Sequence, residues 1–126
     1  LAISPRAFAR SYMLEEVVIP EGVVEIGDGA FFSCGNLKKV TIPESVKRIG
    51  QAAFEDTGLK EIRLPETMDY IGADAFDNAC IKEAVLPKVL KNAGQKVFAM
   101  TNLTKVVIQK DLSCAKECLR TAGLKR

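Results

Sequence analysis

The chain has 126 residues, and its 18 Lys and Arg against 16 Asp and Glu give a net charge of +2 that by itself suggests no polyanionic partner. One domain of this length can bury a sizeable core, and the hydrophobic share of 48% is that of an ordinary soluble protein. The absence of His removes the side chain most often used for acid–base catalysis near neutral pH and for metal ligation. No stretch approaches the roughly 20 apolar residues needed to cross a bilayer, so we expect no membrane insertion.

A repeated phenylalanine indicates the fold class. It recurs every 22 or 23 residues, each time after a small or branched residue, at Phe8, Phe31, Phe54, Phe76 and Phe98. A fixed period of this size is typical of a solenoid, in which each repeat buries its apolar face only against its neighbours. Because stacked repeats lie about 4.8 Å apart, we expect the five rings to form an offset stack through the interior.

The elements follow in a constant order within each repeat. The pattern L-x-x-V-x-I predicts a strand of about four residues with two apolar side chains pointing inward, and the strand ends at a proline, which lacks a hydrogen-bond donor, at Pro20, Pro43, Pro65 and Pro87. An Ile-Gly pair follows, and we expect this glycine to supply a backbone conformation that other residues resist. The next x-x-Ala-Phe is expected to form a single helical turn that places Phe in the core.

The repeats differ in length at one place only. The distance from Pro to the following Phe is always eleven residues, whereas the distance from Phe to the following Leu shortens from six to five after Phe54. Length variation is tolerated in surface loops and disrupts packed layers. The segment after Phe is therefore predicted to be the loop.

The C-terminal segment departs from the repeat. Asp111 is a plausible N-cap, apolar residues follow at helical spacing, and Gly123 is a plausible stop. We expect a capping helix over residues 111–122. The chain is thus divided into a solenoid of five repeats, the first incomplete, over residues 1–110 and a capping segment over residues 111–126.

The string I-P-x-x-V-x-x-I-G-x-x-A-F-x-x-C, which runs from Ile19 to Cys34, resembles the BspA-type leucine-rich repeats, and the resemblance covers about residues 3–109. It implies an α/β fold: a right-handed solenoid with a short parallel sheet on the concave side and helical turns on the convex side. It also implies a protein on the surface of, or secreted by, bacteria or some parasitic protists, and several members of the family act as adhesins. Only Cys34 fills the cysteine position of the family; the other repeats have Ser11, Thr57, Ala79 and Thr101 there.

The exposed side of the predicted strands is the candidate binding surface, because solenoids present a rigid face there that loses little entropy on binding. Its centre is predicted at Thr41, Arg63, Val85 and Val107, together with Val18, and its flank at Lys39, Glu61, Glu83 and Lys105, together with Glu16. Arg63 beside two valines makes an apolar patch with a charge at its edge, which suits a protein partner. The alternative is that valine occurs there because it favours strands.

Other groupings have simpler explanations. Glu21, Glu44 and Glu66 are expected to form a solvated acidic edge, since three carboxylates without the spacing of a calcium loop are weak evidence for a metal. The basic C-terminal end, with eight basic and two acidic residues in 91–126, is expected to be a solvated cap, and it lacks the aromatic residues that stack on nucleic acid bases. We expect no metal, no cofactor and no nucleic acid partner.

The cysteines are expected to be unbridged. Cys34 and Cys80 lie two repeats apart, about 10 Å by sheet spacing, which is too far for a disulfide, so both are predicted to be buried thiols. Cys114 and Cys118 are one helical turn apart. Burial against the last repeat is a simpler account of this pair than a strained bridge.

No catalytic motif is present, so an enzyme is not expected. The favoured hypothesis is a protein-binding or adhesion module of an extracellular or cell-surface protein that binds a host or neighbouring-cell surface protein through its concave face. The alternatives are a structural spacer and an intracellular interaction scaffold.

Overall fold

The structure is a computed structural model that describes residues 1–87, 92–101 and 103–108. In this part of the chain every element is a short β-strand. The strands are β1 (Ala2–Ile3), β2 (Glu16–Val18), β3 (Glu25–Ile26), β4 (Lys39–Thr41), β5 (Arg48–Ile49), β6 (Glu61–Arg63), β7 (Tyr70–Ile71), β8 (Glu83–Leu86), β9 (Asn92–Ala93) and β10 (Lys105–Ile108).

Equivalent strands of successive repeats pair in parallel and in register. The odd-numbered strands form a five-stranded sheet in the order β1-β3-β5-β7-β9, and the even-numbered strands form a two-stranded sheet, β2-β4, and a three-stranded sheet, β6-β8-β10. Ile26 pairs with Ile49 and Ile49 with Ile71, so each Ile of the Ile-Gly pairs lies over the next. The predicted parallel solenoid is confirmed, and the Ile-Gly segments form a second sheet that the sequence analysis did not predict.

The predicted helical turns are wrong. The described residues contain no helix, so this part of the chain is all-β rather than α/β. Around Phe31, backbone bonds to the next repeat alternate with local turns: Ala30 N donates to Gly27 O at 3.1 Å, and Phe31 N donates to Ala53 O at 2.8 Å. A backbone that sends every second donor to a neighbouring chain segment cannot make the consecutive i→i−4 bonds of a helix.

Left-handed backbone on both sides of each core Phe also prevents a helix. The second residue before it and the second residue after it have φ between 57° and 63°, namely Arg6 and Arg10, Gly29 and Ser33, Ala52 and Asp56, Asp74 and Asn78, and Lys96 and Met100. This is the conformation required at the third position of a type II turn, and it interrupts a right-handed helix. The capping helix predicted over residues 111–122 lies outside the described residues.

The phenylalanine stack forms as predicted. Successive ring centroids from Phe8 to Phe98 are 5.3, 5.2, 5.4 and 5.5 Å apart, with interplanar angles of 9° or less. Phe31, Phe54, Phe76 and Phe98 are at most 1% exposed. The rings pack as an offset stack surrounded by the aliphatic columns, and together they form one continuous core.

The glycine of the Ile-Gly pair is required for space rather than for an unusual conformation. None of the glycines at this position has a positive φ, namely Gly27, Gly50, Gly72 and Gly94. A Cβ atom on Gly27 would lie 2.6 Å from the nitrogen of Pro5, and a Cβ on Gly72 would overlap the backbone nitrogen of Gln51. The backbones of adjacent repeats approach so closely at this point that a side chain has no room.

The prediction for the cysteines is correct for Cys34 and wrong in part for Cys80. Both thiols are free, but Cys34 is buried and Cys80 is exposed. Ala79 occupies the inward position in its repeat and is 2% exposed, which leaves the next residue in solvent. Burial raises the pKa of the Cys34 thiol, and its Sγ donates to Phe8 O at 3.1 Å. Cys114 and Cys118 lie outside the described residues.

Replacing Phe54 with Ala should lower the free energy of unfolding by about 3–5 kcal/mol, because the change opens a cavity in the middle of the stack. Urea denaturation checks this. Phe8→Ala is the matched control, because Phe8 belongs to the same stack but is 44% exposed, and it should cost clearly less. Equal losses in the two variants would show that burial in the stack does not govern the cost.

Replacing Gly72 with Ala should cost at least about 1–3 kcal/mol, because the added methyl group forces two backbones apart. Gly35→Ala is the control, since a Cβ there meets nothing within 4 Å, and its urea midpoint should hardly change. A Gly72→Ala variant as stable as Gly35→Ala would contradict the close approach of the repeats.

Candidate interaction surface

The candidate surface consists of the outward side chains of β2, β4, β6, β8 and β10, which we call the long-strand face. On β6, Ile62 is buried whereas Glu61 and Arg63 are exposed, and the three-residue strands β2 and β4 alternate in the same way. This alternation follows from the period of two in a strand. Each three-residue strand thus presents its first and third residues to solvent.

The structure brings six of the eight predicted site residues together on one sheet. Glu61 pairs in register with Glu83, and Glu83 with Lys105, while Arg63 pairs with Val85, and Val85 with Val107. Lys105 Nζ lies 3.9 Å from Glu83 Oε1, and both side chains are more than half exposed, so this ion pair contributes little stability. The remaining two residues, Lys39 and Thr41, lie on β4, in register with Glu16 and Val18.

The long-strand face is interrupted between β4 and β6. These strands lie side by side but belong to separate sheets. The interruption coincides with the shortening of the repeat: Phe31 and Phe54 are 23 residues apart, whereas Lys39 and Glu61, at the starts of β4 and β6, are 22 apart. Leu59 follows Phe54 by five residues, whereas Leu37 follows Phe31 by six. We attribute the missing hydrogen-bond ladder to this change.

A groove of about 290 Å³ opens at the interruption. It is lined by Lys39, Val40, Glu61, Ile62, Arg63, Glu83 and Val85. Five of these are predicted site residues, whereas Thr41, Val107 and Lys105 lie outside the lining. Much of the surface was therefore predicted from the sequence, but the groove was not. The sequence feature that coincides with the groove is the one-residue shortening after Phe54.

A second hollow, of about 380 Å³, lies on the turns that flank the core phenylalanines. Its lining consists of Arg6, Asp28, Gly29, Phe32, Gln51, Ala52 and Glu55. The guanidinium carbons of Arg6 and Arg10 lie 5.8 and 6.0 Å from the centroid of the Phe32 ring, within the range of cation–π attraction. This hollow was not predicted from the sequence. The feature that pointed to it is Phe32, the one phenylalanine outside the repeated column.

Carboxylates collect on the same turns in the third and fourth repeats. Burial raises the pKa of Glu55, and the nearby carboxylates of Asp77, Asp74 and Asp56 raise it further; burial, followed by Asp74, likewise raises the pKa of Asp77. Asp56 accepts hydrogen bonds from Ser33 Oγ at 3.0 Å and Asn78 Nδ2 at 3.1 Å. Lost hydration and repulsion from neighbouring carboxylates thus favour the protonated form of Glu55 and of Asp77.

No group of three or more Cys, Asp or Glu side chains in the described ranges is arranged to hold a metal ion. Glu21 and Glu44 are exposed, as is Glu66. Within residues 1–87, 92–101 and 103–108, no helix has the length and apolar character needed to cross a membrane.

Comparison with solved structures finds the same architecture in bacterial proteins. A leucine-rich repeat protein from Bacteroides ovatus is 34% identical with a TM-score of 0.82; the match covers 89% of this chain and 30% of that one. The T. pallidum leucine-rich repeat protein is 22% identical with a TM-score of 0.76, covering 99% and 78%. A leucine-rich cell surface protein from Faecalibacterium prausnitzii is 20% identical with a TM-score of 0.59, covering 87% and 45%. The chain thus spans under a third of the length of the Bacteroides ovatus protein.

No curated protein matches the sequence at a significant level. The family description "BspA type Leucine rich repeat region" matches residues 2–120 in six copies, whereas five repeats were counted from the phenylalanine column. The division of the chain at residue 110 stays a prediction. The repeat match covers nearly the whole sequence, and the chain belongs to the BspA-type leucine-rich repeat family.

Proposed function

We propose that this chain is a non-catalytic protein-binding module, part of a cell-surface or secreted protein, that adheres to a host or neighbouring-cell surface protein through the long-strand face. The observation that carries the proposal is the registered array of exposed side chains on β6, β8 and β10, with a groove beside it. The same face was predicted from the sequence to be the concave side of the solenoid.

The long-strand face suits a protein partner because it is rigid and mixed in character. Ile62 and Ala84, the inward residues of β6 and β8, belong to the same buried core as the phenylalanines. Backbone pairing joins β2 to β4 and β6 to β8 and β10, so we expect little conformational entropy to be lost on binding. Arg63 is exposed, Val85 is half-buried and Val107 is 42% exposed. Arginine is one of the residue types enriched at the positions that dominate binding energy, and the two valines add apolar contact area beside it.

Family membership supports the general role. Leucine-rich repeats of this type are typical of bacterial surface proteins, form general protein-interaction modules and are typically non-catalytic. The similar protein from Faecalibacterium prausnitzii is described as a cell surface protein. Location outside the cell and adhesion through the long-strand face are the parts that we propose for this chain.

The double variant Arg63→Glu and Val107→Glu should lose capture of surface-labelled proteins from host or neighbouring cells. Two added carboxylates would replace the cation and the apolar contact on the long-strand face. Both side chains are exposed, so the circular dichroism spectrum and the urea midpoint should stay close to those of the wild type. Affinity capture followed by mass spectrometry measures the outcome.

The matched control is the double variant Lys47→Glu and Val24→Glu, which makes the same chemical changes elsewhere. Lys47 N donates to Val24 O at 2.8 Å, and Val24 is 40% exposed, close to the 42% of Val107. The control should retain the captured proteins. Capture that survives in the first variant, or is lost equally in both, would remove the long-strand face as the binding site. Absence of any captured protein would favour a structural spacer.

A further inference from the structure

We propose that the partner of the long-strand face presents a peptide segment with a carboxylate that pairs with Arg63 and a neighbouring apolar side chain that lies on Val85 and Val107. The inference rests on the proposed function and specifies the chemistry of the partner. The observation that supports the inference is the arrangement of charged side chains on the long-strand face.

The outward residues of the long-strand face form two rows with different charge patterns. The first row contains the leading residues of the strands, and each of its carboxylates has a lysine neighbour: Glu16 is in register with Lys39, and Glu83 is paired with Lys105 at 3.9 Å. Glu61 shares the groove with Lys39. With three carboxylates and two lysines, this row has a net charge of −1, so it does not attract an acidic group of a partner.

The second row contains one cation and no carboxylate. It consists of Val18, Thr41, Arg63, Val85 and Val107. In the described part of the chain, the Arg63 side chain has no ion pair, hydrogen bond or aromatic contact. The Arg63 side chain is exposed, and its guanidinium donors are available to a partner.

The groove gives a partner side chain access to this cation. Arg63 and Val85 both line it. The strands β4 and β6, which also contribute to its lining, belong to separate sheets. A carboxylate is the group that guanidinium binds with two parallel hydrogen bonds. Glu61 and Glu83 line the same groove, and their charges disfavour an acid placed over the first row. The repulsion confines a partner carboxylate to the second row, where Arg63 lies.

A random decapeptide display library, selected against the whole chain, provides the test. Peptides that bind the wild type should be enriched in Asp or Glu next to an apolar residue. Arg63→Glu should weaken binding of the best of these peptides by about tenfold or more, because the change removes charge-assisted hydrogen bonds and adds a repulsive charge. Exchanging the acid of that peptide for lysine should restore binding to the Arg63→Glu variant. Lys47→Glu is the charge-matched control and should change the affinity for neither the acidic peptide nor its lysine version.

The outcomes separate this inference from the proposed function. Some selected peptides could lose binding to the Val107→Glu variant and yet show no enrichment in acids and no dependence on Arg63. That result would overturn the inference and leave the long-strand face as a binding surface. Selection of peptides unaffected by any change on this face, or of no peptide, would overturn the inference, and the capture experiment would then decide the proposed function separately. Weakening by Arg63→Glu without rescue by the lysine peptide would overturn the proposed ion pair.

Discussion

Each repeat of this chain lies directly on the next, at the distance set by backbone hydrogen bonds that run from one repeat to the following one. Phe31 N donates to Ala53 O and Phe54 N donates to Ala75 O, both at 2.8 Å. The same short distance explains the two most regular columns of the sequence. It brings the phenylalanine rings into contact, and it leaves no room for a Cβ at Gly27 or Gly72.

The direct stacking also orders the binding face. Because equivalent residues lie over one another, the outward residues of the strands become rows, and a single unusual residue alters a row at a known position. Arg63 is such a residue, since it is the one cation in a row of valines and threonine. The shortened loop after Phe54 is another local departure, and the groove beside Arg63 opens where that shortening interrupts the sheet.

Sequence patterns predicted the features that depend on side-chain character and period. The buried phenylalanines, the parallel strands and their register follow from like residues recurring at one spacing. The turns could not be predicted in this way, because x-x-Ala-Phe has the local spacing of a helical turn. The neighbouring repeats override that preference: they accept alternate backbone donors, and Ala52 and Asp56 adopt positive φ. Local propensity is a weak guide where the backbone bonds to another segment.

For the candidate site, the strand period was enough to identify which side chains face outward, but not which strands are paired. The interruption between β4 and β6 depends on a loop, and loop conformation is not encoded in the apolar columns. Cys80 shows the same limit on a smaller scale, because Ala79 takes the inward position and a shift of one residue changes a buried thiol into an exposed one. The hollow around Phe32 was missed because it lies on turns that were predicted to be helical, and because Phe32 lies outside the repeated column.

Nuclear Overhauser effects between the phenylalanine rings, measured in a sample with protonated phenylalanine in a deuterated background, test the stacking most directly. The account predicts contacts in strict order from Phe8 through Phe31, Phe54 and Phe76 to Phe98, as ring centroids about 5.2–5.5 Å apart require. Missing contacts between consecutive rings, or contacts that skip a repeat, would contradict it.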